Sequence, residues 1–148
     1  MKFPFRLFSI IFFTSHLLAQ FQPQIKEELQ TAVDLWVDDN ATALETYGEI
    51  NTWDVSQITD MSNIFQNKTT FNDDIRNWNV SNVTEMQSMF EEAASYNGDI
   101  STWDVSNVTN MFAMFQEASS FNQDLLTWDV SNVISMKNMF NNAISFNG

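Results

Sequence analysis

From Ile50 onward, one pattern of apolar and polar residues returns every 25 positions. In the copy that begins at Ile100, the residues Ile100, Trp103 and Val105 are apolar, and the polar residues Thr102, Asp104 and Ser106 alternate with Trp103 and Val105. This alternation is typical of a half-buried β-strand. Each repeat is therefore predicted to begin with a short strand whose Trp and Val side chains face the interior.

The second half of each repeat has a different spacing. Met111, Met114, Phe115 and Ala118 stand at positions i, i+3, i+4 and i+7, which predicts an α-helix of two to three turns. One strand and one helix of this size cannot bury their apolar faces alone, so successive units must stack. We expect Trp over Trp and Phe over Phe, with the strands of adjacent coils paired in parallel. The predicted fold class is an α/β solenoid of strand–helix repeats over residues 50–148.

Four nearly identical motifs mark the repeats: WDVSQITDM, WNVSNVTEM, WDVSNVTNM and WDVSNVISM, which begin at Trp53, Trp78, Trp103 and Trp128. A Met-Phe pair follows in the second, third and fourth repeats, and Ile64-Phe65 takes its place in the first. The first three repeats end with a tail of the form Phe-Asn-x-Asp, in which Tyr96 replaces Phe once, and the given sequence stops within the fourth tail. This pattern resembles the BspA-type leucine-rich-repeat surface protein family. The resemblance implies a leucine-rich-repeat-like, right-handed coil on a secreted or cell-surface protein, with roles in adhesion or partner binding. It carries over no catalytic residues.

The segment before the repeats is helical in its spacing. Apolar residues recur at helical intervals from Ile25 to Trp36, and Asn40 is predicted to cap a second short helix that ends at Gly48. We interpret residues 20–49 as an N-terminal helical cap that covers the apolar edge of the first coil. The last repeat has no equivalent cap. Either the chain is a fragment of a longer protein, or its open end pairs with another molecule, and we expect some self-association because exposed strand edges associate readily.

Residues 1–19 differ from everything that follows. Lys2 and Arg6 precede a short apolar run, and Ala19 stands where a signal peptidase would cut, which predicts a secretory signal peptide. The apolar run is too short and too interrupted for a membrane anchor. The mature chain is therefore expected to be secreted or held at the cell surface, with no membrane span.

The chain is strongly acidic, with 19 acidic residues against 6 basic ones and a net charge of −13. Nucleic-acid recognition needs clustered Lys and Arg, so nucleic acid is excluded as a partner, whereas basic partners and cations are compatible. There is no cysteine, and the one histidine, His16, lies in the predicted signal peptide. Thiolate, Ser-His and His-metal sites are thereby excluded from the mature chain, and we predict no enzyme activity and no cofactor.

If Trp and Val face inward, the residues between them form exposed columns, and these are the candidate binding site on the concave face. One column holds threonines and an asparagine: Thr52, Asn77, Thr102 and Thr127. The next is mostly aspartate: Asp54, Asn79, Asp104 and Asp129. The third is serine: Ser56, Ser81, Ser106 and Ser131. The alternative is that these columns are hydrogen-bonding ladders and caps that only stabilise the coil.

The acidic columns raise the question of calcium, because stacked carboxylates repel unless a cation or hydrogen bonds intervene. Asn79 interrupts one column and no calcium-loop spacing occurs, so no metal site is predicted. Asp74, Asp99 and Asp124 are expected to accept backbone N–H groups at turns. The four repeat tryptophans are expected to be core residues rather than sugar platforms.

Two functions of different classes remain open at this point. The first is a protein that binds an extracellular protein or glycan, in adhesion, through its concave polar face. The alternative is a structural or self-assembly module that joins through its open C-terminal end. A third hypothesis is that the regular lattice of Thr, Asp and Ser side chains binds a repetitive solid such as ice or a polysaccharide. The column of carboxylates argues against ice.

Overall fold

Residues 19–147 are described by a computed structural model, and residues 1–18 of the predicted signal peptide lie outside that range. Helix α1 spans Lys26–Asp38 and helix α2 spans Asn40–Tyr47; a 3-10 helix follows at Ile50–Thr52. Within residues 19–147 these are the only helices, and there is no β-strand. Three complete 25-residue coils, which begin at Trp53, Trp78 and Trp103, and an incomplete fourth coil from Trp128 follow.

The prediction of an α/β solenoid of strand–helix repeats is wrong, because each coil is built from β-turns. In the third coil, the N–H group of Val108 donates to the carbonyl of Val105 at 2.9 Å, and that of Ala118 donates to Phe115 at 3.1 Å. Each complete coil has six such bonds from residue i+3 to residue i. The apolar residues stand at the ends of these turns and point inward. Apolar residues three positions apart therefore mark successive β-turns in this chain, and not the α-helix that their spacing predicts.

Left-handed backbone positions prevent the predicted helix. Two residues in every coil have a positive φ, four positions apart, and in the third coil they are Ala113 (52°) and Glu117 (59°). Both fall inside the predicted helical stretch, and an α-helix cannot pass through a left-handed residue. The other coils repeat this geometry at Asn63 and Asn67, Ser88 and Glu92, and Asn138 and Asn142.

Backbone hydrogen bonds join each coil to the next along one side. The N–H groups of Met86, Ser88, Phe90 and Glu92 donate to the carbonyls of residues 110, 112, 114 and 116 at 2.8–2.9 Å, an offset of 24 residues. The same four positions of the first and third coils do likewise. Only isolated parallel bridges result, joining Asp60, Glu85, Asn110 and Ser135. The coils therefore stack as expected, but without the predicted sheet.

The core is a continuous stack of aromatic rings. Phe65, Phe90, Phe115 and Phe140 lie face to face, with ring centroids 5.2–5.5 Å apart and planes within 3° of parallel. A second stack beside it contains Phe71, Tyr96, Phe121 and Phe146. The four repeat tryptophans are buried, which confirms that they are core residues. Of these, Trp53 and Trp78 stack on one another at 6.2 Å.

The two helices cover the first coil. The buried face of α1 consists of Leu29, Ala32, Val33 and Trp36, and the ring of Trp36 meets Trp53 edge-on at 5.8 Å. Ion pairs from Lys26 to Asp60 (3.1 Å) and from Lys68 to Asp34 (2.7 Å) join α1 to the coils. Asp39, not Asn40, caps α2, since its side chain accepts from the N–H group of Thr42; Gly48, with φ 73°, ends the helix.

Candidate functional site

The aspartates of the candidate columns form small turns with the serines two positions later. The Oδ1 atom of Asp104 accepts from the backbone N–H of Ser106 at 3.1 Å and from its hydroxyl at 2.6 Å. Asn79 holds Ser81 in the same way, at 3.2 and 2.8 Å. Asp, Asn and Ser favour this geometry because their short side chains reach the local backbone. The Asp-x-Ser part of three motifs and the Asn-x-Ser part of the second are therefore turn-forming elements.

Two grooves lie beside these turns, and together they form what we call the polar groove face. The larger groove, about 530 Å³, is lined by Thr102, Asp104, Thr127 and Asp129, with Trp103 behind them. The other, about 350 Å³, is lined by Thr52, Asp54, Asn77 and Asn79. The threonine and aspartate columns thus share one surface, although no β-sheet carries it.

The serines of the third column belong to the local turns. The hydroxyls of Ser81 and Ser106 donate to Asn79 and Asp104, both serines are half-buried, and neither lines a groove. Ser131 is exposed, and its N–H group donates to Asp129 at 3.0 Å. For the serine column the hydrogen-bonding interpretation fits the geometry better than a role in binding.

The groove carboxylates are held in their charged form. The side chain and N–H group of Ser106 hold the pKa of Asp104 below its ordinary value of 3.8, while Asp129 opposes this weakly. Bonds from Ser56 and Ser131 lower the pKa of Asp54 and Asp129 likewise. These bonds engage Oδ1 of Asp104 and Asp129. Their Oδ2 atoms therefore remain available to a partner.

Two residues at the groove were not predicted from the sequence. Gln20 lines the smaller groove and donates to the carbonyl of Thr52 at 2.7 Å, and the Gln22 side chain donates to Asp54 Oδ2 at 2.6 Å. Both precede the repeats and belong to no motif, so no sequence signal indicated them. They are placed there because the N–H group of Asp54 donates to the carbonyl of Phe21 at 2.9 Å.

Side-chain ladders between coils occupy other polar positions. The amides of Asn82, Asn107 and Asn132 donate to serine carbonyls of the preceding coil at 2.7–2.8 Å. The asparagines of the Phe-Asn-x-Asp tails form a second ladder, in which Asn97 Oδ1 accepts from the N–H group of Asn122 at 2.9 Å. Asp74, Asp99 and Asp124 accept backbone N–H groups two residues on, as predicted. These residues stabilise the coils.

The repeats also identify the family. Residues 34–148 match the family model described as "Mycoplasma protein of unknown function, DUF285". The chain belongs to this family. The match does not extend to the narrower BspA-type leucine-rich-repeat assignment, and the family description assigns no activity. No curated protein and no solved structure is significantly similar to the chain.

Between residues 19 and 147, no helix is long and apolar enough to cross a membrane. Nor does that part of the chain bring together three or more histidine, cysteine, aspartate or glutamate side chains that could hold a metal ion.

Proposed function

We propose that this protein is a secreted or cell-surface binding protein, a non-enzymatic adhesion module that contacts an extracellular protein through the polar groove face. The resemblance of its motifs to BspA-type surface proteins and the predicted signal peptide support the location. The groove itself supports binding, and its repetition over several coils supports a contact that is spread rather than focused on one residue.

The observation that carries the proposal is the pair of charged, partly unengaged carboxylates in the larger groove. Asp104 and Asp129 are exposed, share one groove with Thr102 and Thr127, and use one carboxylate oxygen each for the local turn. The remaining oxygens point to a partner that presents Lys or Arg, with the threonine hydroxyls as further polar contacts.

A lysine octapeptide titrated against residues 20–148 by calorimetry tests this charge preference. Asn79 shows that an asparagine keeps the local turn, so Asp104→Asn with Asp129→Asn removes two charges without removing the turns. We expect the double variant to bind the peptide at least about tenfold more weakly at low salt.

The matched control is Asp99→Asn with Asp124→Asn, which removes the same charge outside the polar groove face from residues that also hold turns. This control should bind within about twofold of the unmodified chain. Equal losses in both double variants would show that only net charge matters and would refute the groove as the site. Binding of a neutral polysaccharide that is unaffected by either change would likewise contradict a basic protein partner.

A further inference from the structure

The asparagines of the Phe-Asn-x-Asp tails are followed by different residues. Among the first three coils, Gly98 follows Asn97 in the second, whereas aspartate follows Asn72 and glutamine follows Asn122. Glycine has no Cβ atom, so its backbone nitrogen can approach a neighbouring group more closely than that of other residues. The pair Asn97–Gly98 therefore places an unhindered nitrogen beside a side-chain amide.

Two N–H groups of the third coil hold the carbonyl oxygen of the Asn97 side chain. Its Oδ1 atom accepts from the backbone N–H of Asn122 at 2.9 Å and from Nε2 of Gln123 at 2.8 Å. The counterpart oxygen of Asn72 accepts within the described residues from the N–H group of Asn97 alone, at 2.8 Å. Donors at this distance stabilise the negative charge that an oxygen acquires when a nucleophile adds to its carbonyl carbon. The third coil therefore activates the Asn97 amide toward addition.

The two nitrogens on either side of this carbonyl are not engaged. Within residues 19–147, the backbone N–H group of Gly98 donates to no acceptor, and neither does Nδ2 of Asn97. Asn97 is exposed, so water reaches its side chain. Its backbone is fixed, because its N–H group donates to Asn72 and its carbonyl accepts from Gln123 at 2.9 Å. The carbonyl oxygen is thus held, while the nitrogens that form and break bonds to its carbon are free to react.

We propose that Asn97 is a site of spontaneous covalent modification, in which its side-chain amide becomes a carboxylate. The nitrogen of Gly98 attacks Cγ of Asn97 and gives up its proton to water. The bond from Cγ to Nδ2 breaks, and the leaving nitrogen takes up a proton and departs as ammonia. Water then opens the resulting succinimide ring at either carbonyl, which yields aspartate or isoaspartate. The attacking step is intramolecular and needs no cofactor.

The modification changes the ladder between the second and third coils. Isoaspartate lengthens the main chain by one carbon atom at Asn97, immediately before Gly98. The ring of Tyr96 packs there so closely that a Cβ atom on Gly98 would lie 2.8 Å from its hydroxyl oxygen. The longer main chain displaces Gly98 from this position, so we expect the isoaspartate form to unfold at a lower urea concentration. The site lies outside the polar groove face and is independent of the proposed function.

Incubation of residues 20–148 in mildly alkaline water labelled with a heavy oxygen isotope, followed by peptide mass spectrometry, tests the proposal. We expect labelled aspartate and isoaspartate to form at Asn97 at least about tenfold faster than at Asn72 or Asn122. Gln123→Met keeps the side-chain length but removes one donor, and it should slow the reaction at Asn97 at least about threefold. The matched control is Gln116→Met, which removes another amide bond between the same coils, from Gln116 to Glu91 at 3.2 Å. It should leave the rate within about twofold.

Circular dichroism establishes that the variants fold, and Gln123→Ala serves if Gln123→Met does not. Equal rates of label uptake at Asn97, Asn72 and Asn122 overturn the proposal. A rate at Asn97 that the loss of the Gln123 donor leaves unchanged or raises also overturns it, because the donors then do not activate the amide. An isoaspartate form whose urea midpoint equals that of the unmodified chain contradicts the displacement of Gly98.

Discussion

The hydroxyl oxygen of Tyr96 lies 2.8 Å from the point that a Cβ atom on Gly98 would occupy. Tyr96 replaces phenylalanine in the second ring stack, and the absence of a side chain on Gly98 provides the space for its hydroxyl group. In the coils on either side, where the ring is Phe71 or Phe121, the corresponding positions hold Asp73 and Gln123. The hydroxyl group of Tyr96 and the missing side chain of Gly98 therefore occur in the same coil because the glycine makes room for the hydroxyl group.

This relationship predicts that Gly98→Ala destabilises the chain by about 1–3 kcal/mol, because the new methyl group meets the phenol ring. In a Tyr96→Phe background the same change should cost less, since the nearest atom is gone. A double-mutant cycle from urea unfolding measures the difference. Equal costs in both backgrounds would contradict the argument.

Tyr96→Phe alone should raise the free energy of unfolding by about 1 kcal/mol. The hydroxyl is buried and makes no hydrogen bond within the described residues, so its removal relieves a desolvation cost. Tyr47→Phe is the control, because Tyr47 is only half-buried and its change should be close to neutral. A clear loss of stability in Tyr96→Phe would show that the hydroxyl has a partner.

Trp103→Ala should cost about 3–5 kcal/mol, because it removes a buried indole from the middle of the stack. It also removes the bond from Nε1 to the carbonyl of Ile75 at 3.3 Å, which joins two coils. Trp128→Ala should cost less, because the Trp128 indole is 8% exposed against 4% for Trp103. Thermal unfolding of both variants tests which change costs more stability. A larger loss in Trp128→Ala than in Trp103→Ala would contradict a continuous core.

Glu92→Asn should stabilise the chain by about 0.5–1 kcal/mol. Glu92 has a φ of 59°, and Asn, which tolerates the left-handed region better than Glu, already occupies this position as Asn67 and Asn142. Gln87→Asn, at an exposed position that has no positive φ, is the matched control and should bring no gain. The midpoints of urea unfolding test this prediction. A midpoint that rises equally in both variants, or in neither, would contradict it.

Acid should destabilise the folded chain below a pH of about 4. Serine hydrogen bonds depress the pKa of Asp104 in the folded state below 3.8, so this contribution is present above that pH and is lost as the pH falls through the folded pKa. Asp104→Asn keeps the turn but cannot take up the proton. Its free energy of unfolding should therefore fall less between pH 6 and pH 3 than that of the unmodified chain, and an identical fall would contradict the assignment.

The sequence by itself determined the repeat, its period and the identity of the core. Residues such as Trp103, Met111 and Phe115 recur at fixed positions, and identical residues at a fixed period can bury themselves only by stacking on their counterparts. The helical spacing of Leu29, Ala32, Val33 and Trp36 likewise corresponds to the buried face of α1. The aspartate and threonine columns were also visible, because they follow from the same period.

Only the tertiary structure decided the path of the backbone within a coil. Apolar residues three apart fit a helix or successive β-turns equally well, and the choice depends on left-handed residues such as Ala113 and Glu117, whose side chains do not favour that conformation. Bonds to the neighbouring coils hold them there: Ala113 donates to the carbonyl of Lys137, and Glu117 to that of Asn141. Those bonds join residues 24 positions apart, and local propensity contains no information about them.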